Sequence, residues 1–183
     1  MTGAAAERAE GDTGPRLDDL IEAERDIVAR FDDVGLEVDF GALSVVSNIY
    51  RAASAIRRHM EQSVLGPEQL SWTAFVTLWV LWIWGEMEAR HLAAEAGVTK
   101  GTLTGVLDTL ERRGLVARRR HDDDRRLLSA GLTASGEELI RRLYPRFNAQ
   151  EARIAALLSQ DGRDAFASGL RELVRGLPLE DPS

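Results

Sequence analysis

Residues 91–136 read HLAAEAGVTKGTLTGVLDTLERRGLVARRRHDDDRRLLSAGLTASG, and this stretch decides the fold. Its first half has the spacing of a helix-turn-helix. Ala93 is a small residue where two helices can cross, and Gly97 can take the left-handed turn conformation without steric penalty. Thr99 reads as a helix N-cap. Leu103, Val106, Leu107 and Leu110 then form one apolar stripe, which predicts a helix from about Lys100 to Arg113 with Gly114 just past its end. The second half reads as a basic two-stranded ribbon, Leu115–Arg119 and Leu127–Leu132, with Leu128, Ala130 and Leu132 alternating inward. A helix that presents its N-terminus, followed at once by an arginine-rich ribbon, is a device for gripping duplex DNA.

The inward stripe leaves Lys100, Gly101, Thr104, Gly105 and Asp108 on the opposite face of this helix, with Thr102 on a flank. Lys100 can read guanine or bind phosphate. Thr99, Thr102 and Thr104 can donate to phosphates or touch a thymine methyl, or they can serve simply as caps and solvent-facing residues. A glycine inside a helix costs about 1 kcal/mol relative to alanine. Close approach of the backbone to DNA would offset that at Gly101 and Gly105; neutral tolerance is the alternative.

Three pieces resemble the MarR family of winged helix-turn-helix regulators. They are Leu92-Ala-x-x-x-Gly97-Val98-Thr99, the helix exit Leu110-Glu-Arg-Arg-Gly114-Leu115-Val116, and Asp124-x-Arg126 followed by Leu132-Thr133-x-x-Gly136. The resemblance implies a mainly α fold with a small β-wing: a winged helix-turn-helix domain flanked by N- and C-terminal dimerisation helices. It implies that Arg126 enters the minor groove at the wing tip and that Asp124 holds the tip by pairing with an arginine. Arg120 and Arg125 are then expected phosphate contacts. The family usually carries a proline ahead of its aspartate, where this chain has Asp122 and Asp123. The urate-responsive branch places a Trp near Phe31 and an Asp near Val76; neither is present, so urate is not carried over.

The charge of −7 over 183 residues is unusual for a DNA binder, but its distribution resolves the conflict. Residues 99–126 hold one Lys and seven Arg against five carboxylates, a net of +3, which leaves −10 for the rest. The acidic remainder weakens adhesion to DNA elsewhere and lets the basic face direct docking. The absence of cysteine excludes disulfides and thiol-based sensing. His59, His91 and His121 lack metal-ligand spacing, so neither metal nor cofactor is expected. No nucleophile–base pair or glycine-rich phosphate loop points to an enzyme. The polar N-terminus lacks a signal-peptide core and no apolar run is long enough to span a membrane, so a cytoplasmic protein is expected.

Residues 1–15 read as a disordered tail, 16–65 as N-terminal helices for dimerisation and a pocket, 66–133 as the winged-helix domain, and 134–177 as C-terminal dimerisation helices. Leu17–Phe31 and Leu43–Ser63 are predicted helices, the second turning Leu43, Val46, Ile49 or Tyr50, Ala53 and Ile56 inward. Ser71 caps an all-apolar helix that Gly85 stops, and a short helix from about Glu88 to Ala96 opens the motif. Thr133 caps a long helix reaching Leu158, which Pro145 is expected to kink or split. Asp161 begins the last helix. The terminal helices carry more apolar surface than one subunit can bury, which predicts a homodimer. Trp72, Phe75 and Trp79, with Tyr50 on the preceding helix, are candidates for an aromatic or phenolic effector site of the kind the family uses; plain core packing is the competing reading for each. Together these readings predict a ligand-responsive homodimeric repressor on a pseudo-palindromic operator. The alternative is a winged-helix DNA-binding protein without an effector: a constitutive repressor, an activator or an architectural protein.

Overall fold

The computed structural model describes residues 20–120 and 128–177, with the side chain of Arg120 excepted. Residues Met1–Ala55 and Ile56–Ser183 make two compact units. The described part of the first unit holds helix α1 (Glu22–Val34) and most of helix α2 (Phe40–Met60). Helix α1 starts later than the apolar spacing suggested, because Glu24 in its first turn accepts the Ile21 N–H at 3.1 Å. Gly35, at φ +65°, ends it, and Leu36 N–H bonds back to the Phe31 carbonyl at 3.0 Å. Glu24 is buried; Ser44 Oγ donates to its carboxylate, as does Asn48 Nδ2 at 2.8 Å, which fastens α1 to α2.

Helix α2 begins at Phe40 rather than Leu43 because the Asp39 carboxylate accepts the Ala42 N–H at 2.9 Å. Its expected inward stripe is a correction: Val46, Tyr50, Ala53 and Ile56 are all exposed, and Tyr50 retains 71% of its surface. An amphipathic pattern reports that a face will be covered, not that this chain covers it.

The second unit begins with the end of α2, which passes through one wide helical turn (Glu61–Leu65) and one tight turn (Gly66–Glu68). Helix α3 (Trp72–Trp84) is capped by Ser71 Oγ, which accepts the Ala74 N–H at 3.2 Å, and Gly85 stops it at φ +79°. Strand β1 (Met87–Glu88), helices α4 (Ala89–Glu95) and α5 (Lys100–Arg112), and strands β2 (Val116–Arg120) and β3 (Leu128–Leu132) follow. The sheet is antiparallel in the order β1-β3-β2, so the wing has three strands at its root rather than two. Two residues are too short to show alternation, and Glu88 therefore reads as helix from sequence.

Helix α6 (Ala134–Ala155) continues through Pro145 as one element, so of the expected kink or split the split does not occur. Pro145 faces solvent, where the carbonyl its ring leaves unpaired can bond water. Helix α7 (Gln160–Gly176) starts one residue early because Ser159 Oγ caps it, accepting the Gly162 N–H at 3.1 Å. The core of this unit is formed by Leu65, Leu78, Leu92, Leu103, Leu110 and Ile140, each at most 1% exposed. It fixes α5 from behind and leaves its other face outside.

Candidate nucleic-acid interface

The turn between α4 and α5 follows from three residues. Gly97 sits at φ +63°, Val98 N–H reaches back to the Ala93 carbonyl at 3.0 Å, and Thr99 Oγ1 accepts the Thr102 N–H at 3.2 Å. Ala93 is buried, as a helix crossing requires. The two helices are thereby held so that α5 exposes its N-terminal turns.

On α5, Leu103 and Leu107 are 1% exposed and Leu110 is fully buried, while Val106 is half-buried. Lys100, Gly101, Thr102, Thr104, Gly105 and Asp108 are exposed. Thr104 Oγ1 donates to the Lys100 carbonyl at 2.9 Å and Thr99 Oγ1 lies 3.0 Å from Thr102 Oγ1. These hydroxyls are therefore oriented by the helix itself and present one edge to the outside. A Cβ built on Gly101 or Gly105 would meet nothing within 4 Å. No internal packing demands either glycine.

The wing is fastened to α5 by a side chain the sequence reading did not single out. Arg118 Nη2 of β2 lies 2.7 Å from Asp108 Oδ1 and 2.5 Å from Glu111 Oε2, and its side chain is 22% exposed. The hydrogen bond from Arg118 holds the Glu111 carboxyl below its usual range, and Glu111 in turn pushes the guanidinium up. Arg118 is thus shared between two carboxylates and offsets one of their two negative charges. A groove of about 310 Å³ remains between α5 and the hairpin, with Lys100, Thr104 and Arg118 among its lining residues. The signal that could have found the clamp is an acidic pair three residues apart on a recognition helix, facing an arginine-rich strand.

The start of α6 completes the frame. Thr133 Oγ1 accepts the Gly136 N–H at 3.1 Å and donates to the Gly114 carbonyl at 2.6 Å, and Thr133 N–H bonds the Leu115 carbonyl at 3.1 Å. A Cβ on Gly136 would lie 2.0 Å from the Leu115 oxygen. The Leu-Thr-x-x-Gly spacing thus stitches the end of β3, the exit of α5 and the cap of α6 at one point.

Of the expected wing contacts, Arg120 closes β2 opposite Leu128. The Arg120 side chain and the residues Asp124, Arg125 and Arg126 lie outside the described residues. Of the expected effector residues, Phe75 is core: it is 3% exposed and stacks on Phe147 at 4.1 Å between ring centroids. Trp72 and Trp79 are half-buried. Trp72 lies 6.0 Å from the Phe147 ring, Trp79 packs edge-on to Trp84 at 5.7 Å, and the buried Trp79 Nε1 has no hydrogen-bond partner among the described residues. Tyr50 belongs to the first unit. No group of three or more His, Cys, Asp or Glu arranged for a metal ion occurs among the described residues. No described helix is long and apolar enough to cross a membrane.

Comparison with known proteins agrees with this geometry. The MarR family model matches residues 70–128. An HTH-type transcriptional regulator of Bacillus subtilis (strain 168), YwaE, is 33% identical over 159 residues, 86% of this chain and 93% of its own length. The HTH-type transcriptional repressor YetL of the same organism is 29% identical over 144 residues, 78% of this chain and 86% of its own. Among solved structures, the transcriptional repressor CouR bound to a 23-mer DNA duplex is 29% identical with a TM-score of 0.65, covering 75% of this chain and 99% of CouR.

Proposed function

Because the chain belongs to the MarR family of helix-turn-helix transcriptional regulators, we propose that it acts in the cytoplasm as a homodimeric repressor on a pseudo-palindromic operator. The observation that carries this reading is the exposed N-terminal face of α5 beside a hairpin fastened to it by Arg118. In this reading residues 66–133 bind DNA. Thr99, Lys100, Thr102 and Thr104 meet the major groove, Arg120 and Arg125 meet phosphates, and Arg126, held by Asp124, enters the minor groove. Repression is supported by the names of YetL and CouR, and DNA as partner by the duplex bound to CouR.

Dimerisation by residues 16–65 and 134–177 is supported by apolar side chains that remain exposed. No residue of α7 is buried; Phe166 is 49% exposed and Val174 61%. On α2, Val45 and Val46 are more than half exposed. Monomeric soluble proteins rarely leave such stripes uncovered. The direct test is DNA binding by Lys100→Ala and Arg126→Ala. Each is expected to lose about 1–3 kcal/mol of specific binding. Wild-type affinity in both would contradict the reading.

A second reading adds an effector. The buried Trp79 Nε1, without a partner among the described residues, is a donor that an aromatic carboxylate or phenol could satisfy, on the helix that also carries the half-buried Trp72. Binding there would weaken DNA affinity only by the ligand's differential preference for the two states. Titrating tryptophan fluorescence and operator affinity with benzoates and phenols tests this. No change in either would favour a regulator without an effector, whether constitutive repressor, activator or architectural protein.

A further inference from the structure

Glu68 stands in the tight turn before α3, and its carboxylate spans two arginines of α6. Oε2 accepts from Arg142 Nη2 at 3.1 Å and Oε1 from Arg146 Nη1 at 3.2 Å. The Glu68 side chain is 19% exposed while both arginines stand largely in solvent, so the carboxylate is the better-ordered partner of the three. Arg142 and Arg146 are four residues apart and so stand one turn above the other on a single helix face. The same turn is gripped from the opposite side. Arg113, at the end of α5, donates through Nη1 to the Gln69 carbonyl at 2.8 Å and through Nη2 to the Glu68 carbonyl at 2.9 Å. Gln69 has φ +54°, a left-handed conformation that side-chain-bearing residues seldom adopt. The turn therefore offers its two carbonyls in a fixed direction. The path from α6 through Glu68 and Gln69 to Arg113 and α5 is continuous in hydrogen bonds, and all of it lies in the second unit.

We propose that Glu68 is a positioning residue that holds the recognition helix α5 at a fixed attitude to α6 and thereby sets the separation of the two recognition helices. The inference rests on the reading of α5 as the DNA-reading helix and of α6 as a dimerisation helix. Two recognition helices must enter successive major-groove turns together, so a rigid link between each and the dimer frame selects one half-site spacing. Without the Glu68 charge, Arg142 and Arg146 return to solvent and the turn loses its side-chain tie to α6, while Arg113, its own backbone bonds and the buried Leu65 and Leu70 still hold it in place. The exit of α5 then keeps its attachment to the start of α6 at Thr133 but loses its second attachment, further along α6, so its tilt against α6 is less narrowly fixed. Affinity for the preferred spacing falls, and neighbouring spacings become less distinct.

The test uses full-length Glu68→Gln and, from the other side of the link, the double variant Arg142→Gln/Arg146→Gln. The arginines are 58% and 50% exposed, so the double variant is expected to fold even if Glu68→Gln does not. Each protein is measured on duplexes carrying the inverted repeat that wild type selects from random sequences, at the selected half-site spacing (the native spacing) and at one base pair more and less. We expect dimers by sedimentation, melting temperatures close to wild type, and a loss of about three- to thirtyfold at the native spacing. The loss at the altered spacings should be smaller, and combining all three substitutions should be no worse than either set alone. A dimeric variant with unchanged affinity, with equal losses at every spacing, or with additive effects overturns the proposal alone. A monomeric wild type overturns the dimer reading and this proposal with it.

Discussion

Arg118 Nη2 lies 2.7 Å from Asp108 Oδ1, tying the first long wing strand to the middle of the recognition helix. The contact does two things at once. It fixes the root of the hairpin against α5, and its one positive charge, shared with Glu111, offsets half of the negative charge on the face proposed to meet phosphates. Arg118→Gln is therefore expected to weaken DNA binding severalfold while the oligomeric state and helix content stay as in wild type. The loss should grow as salt is lowered, because the freed carboxylates repel phosphate most strongly when screening is weak. A salt-independent loss would mean that Arg118 acts through shape alone.

Gly105 separates a DNA contact from a tolerated helix residue. A methyl group there would meet nothing within 4 Å inside the protein. Gly105→Ala should raise stability to chemical denaturation by about 0.5–1 kcal/mol through helix propensity. On DNA the same methyl group would stand between backbone and groove, and affinity should fall. A variant that is more stable and binds as well as wild type would show that the glycine is neutral.

Gly136 behaves in the opposite way. Its Cβ would lie 2.0 Å from the Leu115 carbonyl oxygen, backbone against backbone, so neither side can yield by a rotamer change. Gly136→Ala is expected to cost about 3 kcal/mol, the upper part of the range for overpacking, as measured by urea unfolding. A loss under about 1 kcal/mol would mean that the α6 start can slide off Leu115 freely.

Sequence and structure agree where one residue dictates one local geometry. Ser71, Thr99 and Thr133 cap the helices they precede, each accepting the N–H three residues on. Gly97 and Gly114 take the left-handed conformation that ends a helix. The leucine stripe of α5 is buried as its spacing requires. Contacts between distant segments were not legible. Arg118 reaches Asp108 and Glu111 across ten and seven residues, and only the pairing of β2 beside α5 brings them together. The α2 stripe was legible as apolar, but its exposed Val46 and Tyr50 show that periodicity does not name the surface that covers it. Strand β1 was missed because its partner, β3, lies more than forty residues further along the chain.

The Glu24 carboxyl is held below the usual glutamate range, chiefly by the Ser44 hydroxyl against the opposing effect of its burial, with Ile21 N–H, Asn48 and Arg51 adding. Its bonds therefore contribute stability that is complete at neutral pH, above the carboxyl's unfolded range. That contribution is lost as pH falls through the lowered value. Melting temperatures of wild type and Glu24→Gln should differ most near pH 7 and converge below the ordinary carboxylate range. A gap that is constant across pH would show that the charge of Glu24 does not carry the contact.

The proposed function requires that two copies of this chain read one duplex together, each through α5 and its wing. Selection of bound sequences from random duplexes, followed by the mass of the complex formed on the winner, tests it most directly. The expected winner is an inverted repeat with half-site centres about one helical turn apart, about 10–10.5 base pairs or a multiple, occupied by two chains. One chain on one half-site, or no enrichment of any sequence, would contradict it.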